Sequence, residues 1–209
     1  MEALATPVAL RRALPPEEAA RGDFYALLAR LLRDAPDMPL LANLAAAPRL
    51  PAEGDAALGK AWDELVDASS VMDGEAAVDE YEALFAGVGK AAVSIFAGYY
   101  AGAPAADHPR VRLVRDLAAL GLARRDAVSE PEDHFAGLFD VMRVLIAGGA
   151  GRSPGALAEQ KTFFMNHLQP AVAKFFAALE QAPQANYYRK VAAFGAAFAA
   201  LEAESFQLD

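Results

Sequence analysis

The chain has 209 residues, is 55% hydrophobic and carries a formal net charge of −9, enough length for one well-filled core. The absence of cysteine excludes disulfides, iron–sulfur ligation, cysteine–zinc sites and thiol catalysis. The acidic balance argues against non-specific nucleic-acid binding, which needs a basic face for the phosphates.

Much of the hydrophobic content is alanine, the best helix former, and long Val/Ile/Thr alternation is absent, so an all-α fold is expected. A tail over residues 1–15 precedes a single helical domain over 16–209. Pro15-Pro16-Glu17-Glu18 is a helix start, with proline early and acids in the first turn. Phe24, Leu27, Leu28, Leu31 and Leu32 then form one apolar face. Residues 34–39 break that helix, a short one covers Leu40 to Ala46, and Pro48 and Pro51 make the next loop. Ala56 to Val71 presents Leu58, Trp62, Leu65 and Val66 on one side, with Trp62 as core. Gly74 interrupts, and Ala76 to Ala86 follows with Val78, Tyr81, Leu84 and Phe85 on one side. Beyond a long loop, Pro109 opens a helix ending near Gly121, and Pro131 opens another ending at Gly148-Gly149. A long helix from Pro154, reset at Pro170, runs to about Leu179 with core phenylalanines at 163, 164, 175 and 176. Asn186 caps the last helix, through Val191, Phe194, Phe198 and Leu201. About eight helices or more, without repeats, describe a bundle.

Several chemistries are set aside on spacing. Gly54-x4-Gly59-Lys60 begins like a phosphate-binding loop, but Ala61 stands where the magnesium-binding hydroxyl belongs. A di-iron bundle wants Glu-x-x-His, whereas His108, His134 and His167 have Ala105, Pro131 and Phe164 three residues upstream. There is no Gly-x-Ser-x-Gly elbow. No metal, cofactor or catalytic role is expected. His108 and His167 read as caps or surface groups. No apolar run approaches the roughly 18 residues of a membrane span. Arg11-Arg12 is followed by Ala-Leu-Pro-Pro-Glu-Glu, which is no apolar export segment.

Two segments stand apart from this background. In Glu80 to Tyr100 a helix-like stretch ends at Leu84-Phe85, passes Gly87-Val88-Gly89 and closes on Phe96, Tyr99 and Tyr100. In Glu130 to Phe135, adjacent Asp133 and His134 open a helix whose first turn is acidic. Neighbours on a helix point about 100° apart, so this pair would not hydrogen-bond each other. A long structureless loop in a compact domain is usually functional, although both segments also fit a helix connector and a brace for it.

These segments, in this order, resemble the TorD/DmsD/NarJ family. Glu80, Tyr81, Leu84, Phe85, Gly87, Gly89 and Tyr100 match its E-Y-x-x-L-F-x-G-P-G and P-P-Y-x-S-x-Y pattern, and Glu130, Asp133 and His134 match its E-x-x-D-H. The stretches from Arg21 to Leu32 and from Gln160 to Leu179 look like further family helices, so the resemblance covers roughly 21–205. The chain departs from the pattern at Val88, at Ser94-Ile95, at Phe96 and at Ala97-Gly98, which leaves the loop less stiff than a proline-bearing one.

The resemblance implies a non-catalytic cytoplasmic chaperone. It would bind the twin-arginine signal peptide of an apo-molybdoenzyme catalytic subunit, hold it back from export and keep it open for cofactor insertion. The peptide-binding set carried over is Tyr81, Leu84, Phe85, Gly87, Gly89, Phe96, Tyr99, Tyr100, Glu132, Asp133 and His134. The chemistry suits that role. An apolar groove of Leu84, Phe85, Phe96, Tyr99 and Tyr100 takes the peptide's apolar stretch. Carboxylates at Glu132 and Asp133 pair with guanidinium, and glycines allow close approach. On this reading Asp133→Ala weakens peptide binding with little loss of fold. A scaffold subunit without a peptide client, and a small enzyme using Asp133 and His134, are the alternatives. The client stays open among formate dehydrogenase, dimethyl sulfoxide or trimethylamine oxide reductase and nitrate reductase, as does monomer against domain-swapped dimer.

Overall fold

The computed structural model describes residues 14–86, 91–102, 109–122, 131–149 and 151–208. Gly87, Val88, Gly89, His108, Glu130 and most of the N-terminal tail lie outside the described residues. Among the described residues there are ten α-helices and two π-helical turns but no strand. The helices are α1 (Pro16–Arg33), α2 (Met38–Ala45), α3 (Ala56–Val71), α4 (Gly74–Tyr81), α5 (Gly98–Ala101), α6 (Pro109–Ala119), α7 (Phe135–Ala147), α8 (Leu157–Phe163), α9 (Val172–Gln181) and α10 (Tyr187–Leu208). The π turns, Glu82–Ala86 and Phe164–Leu168, continue α4 and α8.

Local chemistry accounts for most starts. Asp37, Asp55 and Asp73 each accept the N–H three residues on, at Leu40 (2.9 Å), Leu58 (2.7 Å) and Ala76 (2.9 Å). These N-caps start α2 and α4 two residues before the apolar pattern does. α1 opens at Pro16 with Glu17 and Glu18 in its first turn, as expected. Other boundaries differ. The helix expected from Pro131 begins at Phe135, because the His134 side chain is its N-cap. Glu132 and Asp133 therefore precede the helix instead of forming its first turn. The helix expected from Pro154 begins at Leu157, and Pro170 closes a π turn before α9. Residues 98–101, expected as loop, form α5.

α1 packs along α7, α10 lies against α9 and α3, and α2 covers α3. Aromatic rings fill the space between. Phe135 stacks on Phe175 with centroids 4.2 Å apart, Tyr25 meets Phe198 edge-on at 4.8 Å, and Phe24 contacts Trp62 at 5.3 Å. α10 approaches α9 so closely that a Cβ on Gly195 would lie 2.2 Å from Phe176 Cζ. One polar network crosses this interior. The buried Glu202 accepts from Arg21 Nε (2.7 Å), Arg21 Nη2 (2.8 Å) and the Tyr25 hydroxyl (2.9 Å), satisfying a carboxylate that burial would otherwise penalise. Burial and the neighbouring Glu202 charge push the Tyr25 hydroxyl pKa well up, so it stays a donor.

Candidate functional site

The first motif begins with a joint. The Glu80 carboxylate accepts the backbone N–H groups of Asn186 (2.8 Å), Tyr187 (3.0 Å) and Tyr188 (2.7 Å). It thereby satisfies the first-turn donors of α10, the task expected of Asn186, and places a negative charge at the positive end of that helix. The next residue does the converse at another helix. The Tyr81 hydroxyl donates to the carbonyls of Leu32 (3.2 Å) and Arg33 (2.8 Å) at the C-terminus of α1, and the Tyr188 hydroxyl donates to Leu31 (2.8 Å). Burial raises the Tyr188 hydroxyl pKa well above its ordinary value, so that donor is permanent. Phe85 sits against Tyr81 and Tyr188 at 5.1 Å and 5.3 Å, and Leu84 is fully buried. Leu84 thus has no surface to offer a groove, and Tyr81 is committed to α1. The Leu84 carbonyl accepts the Val93 N–H (3.0 Å).

The second half of the motif meets the Asp-His segment directly. Phe96 and His134 form an isolated antiparallel bridge. Ala97 N–H donates to the Asp133 carbonyl (2.8 Å), and Phe135 N–H donates to the Ile95 carbonyl (3.0 Å). The Asp133 side chain adds a third tie, its Oδ2 accepting the Gly98 N–H at the start of α5 (3.2 Å). A Cβ on Gly98 would stand 2.8 Å from that oxygen, so the glycine is what allows the carboxylate in. Buried His134 accepts the Ala136 N–H on Nδ1 (3.1 Å) and so carries its proton on Nε2, and its ring meets Phe96 edge-on at 5.6 Å. Asp133 and His134 are therefore occupied with backbone donors, on different elements, and not with each other.

These ties present two rings to solvent: Tyr99, 69% exposed, and Phe96, 36% exposed. Tyr100 behind them packs on Phe135 and Phe175, and its hydroxyl donates to the Ser94 carbonyl (2.9 Å). Burial, with Tyr99 beside it, pushes the Tyr100 pKa up to about 12. At the edge, Glu132 Oε2 pairs with Arg110 of α6 at 2.9 Å, so the carboxylate offered to an incoming guanidinium already holds one. The expected set thus divides. Phe96, Tyr99, Tyr100, Glu132, Asp133 and His134 come together, whereas Tyr81, Leu84 and Phe85 belong to the α1–α4–α10 joint.

A second feature was not foreseen. A cleft of about 440 Å³ lies between α6 and the α8–π segment, bordered by Asp116, Leu120, Ala158, Phe163 and His167. His167, expected as a cap or surface group, is buried there, with Nε2 3.0 Å from Asp116 Oδ2. Burial lowers the His167 pKa, an effect that Asp116 only partly offsets, so the ring is neutral at neutral pH and donates its proton to the carboxylate. Burial opposes ionisation of Asp116, but hydrogen bonds from Arg115 and His167 outweigh it and hold that carboxyl below its ordinary range. The two residues lie 51 positions apart, and no local pattern signals the pair. Among the described residues no group of His, Asp and Glu is arranged to hold a metal ion, and no helix is long and apolar enough to cross a membrane.

Comparison with known proteins agrees with the two-segment motif. No curated protein matches the chain. The family model described as Nitrate reductase delta subunit matches residues 52–177, more than half of the chain and a span that holds both motif segments. The chain accordingly belongs to the nitrate reductase delta subunit family, the TorD/DmsD/NarJ group of non-catalytic maturation chaperones that bind a molybdoenzyme subunit.

Proposed function

We propose that this chaperone acts in the cytoplasm on the twin-arginine signal peptide of an apo-molybdoenzyme, and that the peptide's apolar stretch lies on the face built by residues 94–100 and 131–135. The observation that carries this reading is the pairing of Phe96 with His134, which holds two exposed aromatic rings on a hydrogen-bonded support. Exposed aromatics on a rigid frame bind apolar segments at low ordering cost. The net charge of −9 favours capture of a basic segment. Gly87 and Gly89, which lie outside the described residues, stay in the proposed peptide-binding set because glycine allows close backbone approach. The chain works as a monomer or a domain-swapped dimer.

Isothermal titration calorimetry with the signal peptides of molybdoenzymes encoded beside this chain tests the reading. Saturable binding that is lost when the paired arginines become alanine supports it. Failure of every such peptide and every apo-enzyme to bind would leave a scaffold role.

A further inference from the structure

We infer that the cleft between α6 and α8 receives an arginine side chain of the bound peptide, with Asp116 as its carboxylate partner and His167 as the residue that positions that carboxylate. This rests on the peptide-binding reading above and adds a second, polar contact point to it. The cleft's volume of about 440 Å³ falls within the roughly 300–1,000 Å³ typical of ligand sites. Its walls are chemically mixed: Leu120, Ala119, Ala158 and Phe163 offer apolar surface for a methylene stem, and Asp116 stands at the rim. His167 is carried on the π turn Phe164–Leu168, a helix irregularity that recurs at functional sites.

The charged neighbours decide which ligand fits. Arg152 donates to Glu159 (3.0 Å) and to the Leu120 carbonyl (2.8 Å), and Arg112 donates to the Asn166 carbonyl (3.4 Å). Those cations brace α6 against the opposite wall. Asp116 has a different partner. Arg115, which meets its Oδ1 at 3.1 Å, is adjacent in sequence and 73% exposed. Because Arg115 is largely in solvent, it can give up this ion pair to a better-aligned guanidinium at little net cost. With Oδ2 held from behind by His167, Asp116 presents Oδ1 outward to any better-aligned fork. A guanidinium matches it, because its planar donors engage a carboxylate directionally where an ammonium offers only a point charge. Arg115 then swings into water.

The site lies along α6 from the aromatic face. Arg110, tied to Glu132, and Asp116 are six residues apart, about 9 Å of helix at 1.5 Å per residue. Six residues at about 100° each also set the two side chains about 120° apart around the helix, so a peptide that meets both wraps across α6.

The test is a two-by-two titration of the full chain. The probes are a twin-arginine signal peptide from a neighbouring molybdoenzyme and the same peptide with both arginines replaced by citrulline, which keeps the shape and removes the charge. The proteins are the wild type and Asp116→Asn. The wild type is expected to prefer the arginine peptide by about tenfold, and Asp116→Asn to erase that preference without changing citrulline binding. Ala158→Trp, which fills the cleft and leaves the Asp116–His167 pair alone, is expected to lower arginine-peptide affinity similarly. Each variant's melting curve is recorded so that misfolding is recognised. An unchanged arginine preference in both folded variants would overturn the inference and leave the chaperone reading standing. Absence of wild-type binding to either peptide would overturn both.

Discussion

The two ends of one motif do different work. Glu80 to Phe85 is an internal joint, where a carboxylate caps α10 and a tyrosine caps α1. Phe96 to Tyr100 is a surface, propped by Asp133 and His134. A shared pattern of residues can thus encode the support and the contact together. A substitution is informative only when it is known which end it strikes.

The sharpest way to separate them is Glu80→Ala. It leaves three N–H donors, those of Asn186 and of the first two residues of α10, without their acceptor, each worth about 1 kcal/mol, so stability falls by about 3 kcal/mol in urea melts. Peptide affinity per folded molecule stays unchanged. Lost affinity with intact stability would move the joint into the binding site. Asp133→Ala comes next. It removes the acceptor for Gly98 N–H, and the expected cost is about 1–2 kcal/mol in the same melts, more than a purely surface role allows. Asp133→Asn keeps an acceptor and restores most of it. Tyr99→Ala reverses the balance. With the ring 69% exposed, melting shifts by no more than about 0.5 kcal/mol, while signal-peptide affinity falls about fivefold by calorimetry. A melting change without an affinity change would make the ring structural.

The smallest effect concerns pH. The folded chain holds His167 below its ordinary value of 6.5. Stability from this group is therefore complete above that value and is lost as pH falls through it towards the folded pKa. Asp116, also lowered, gives stability that persists until pH falls through its ordinary 3.8. Between about pH 7 and pH 5.5 His167 therefore contributes a decline in stability as pH falls, whereas Asp116 does not. The melting-temperature slope should flatten in His167→Gln, and an unaltered slope would assign it to other groups.

What was legible in the sequence was local. The periodic faces of Phe24 to Leu32 and Leu58 to Val66, the breaks at Gly74 and Pro170, and the burial of Trp62 follow from helix periodicity and backbone limits within a few residues. The meeting of Phe96 with His134 was legible only through the family pattern. Its physical basis, a glycine that clears room for a carboxylate 35 residues away, is a tertiary fact. That clearance gives the Ala97-Gly98 departure a structural reason. Glu80 was visible as a motif residue but not as a cap, because its three partners lie more than 100 positions onward. His167 was misplaced for a related reason. A histidine near a helix end looks exposed until α6 folds over it.

The Glu80 cap also bears on the order of folding. The first turn of α10 draws its acceptor from a residue 106 to 108 positions earlier, a contact whose formation must wait for the intervening chain to close. The cap at the start of α10 therefore exists only when α4 has docked against it, and without that docking the first N–H groups of the last helix would be left to water.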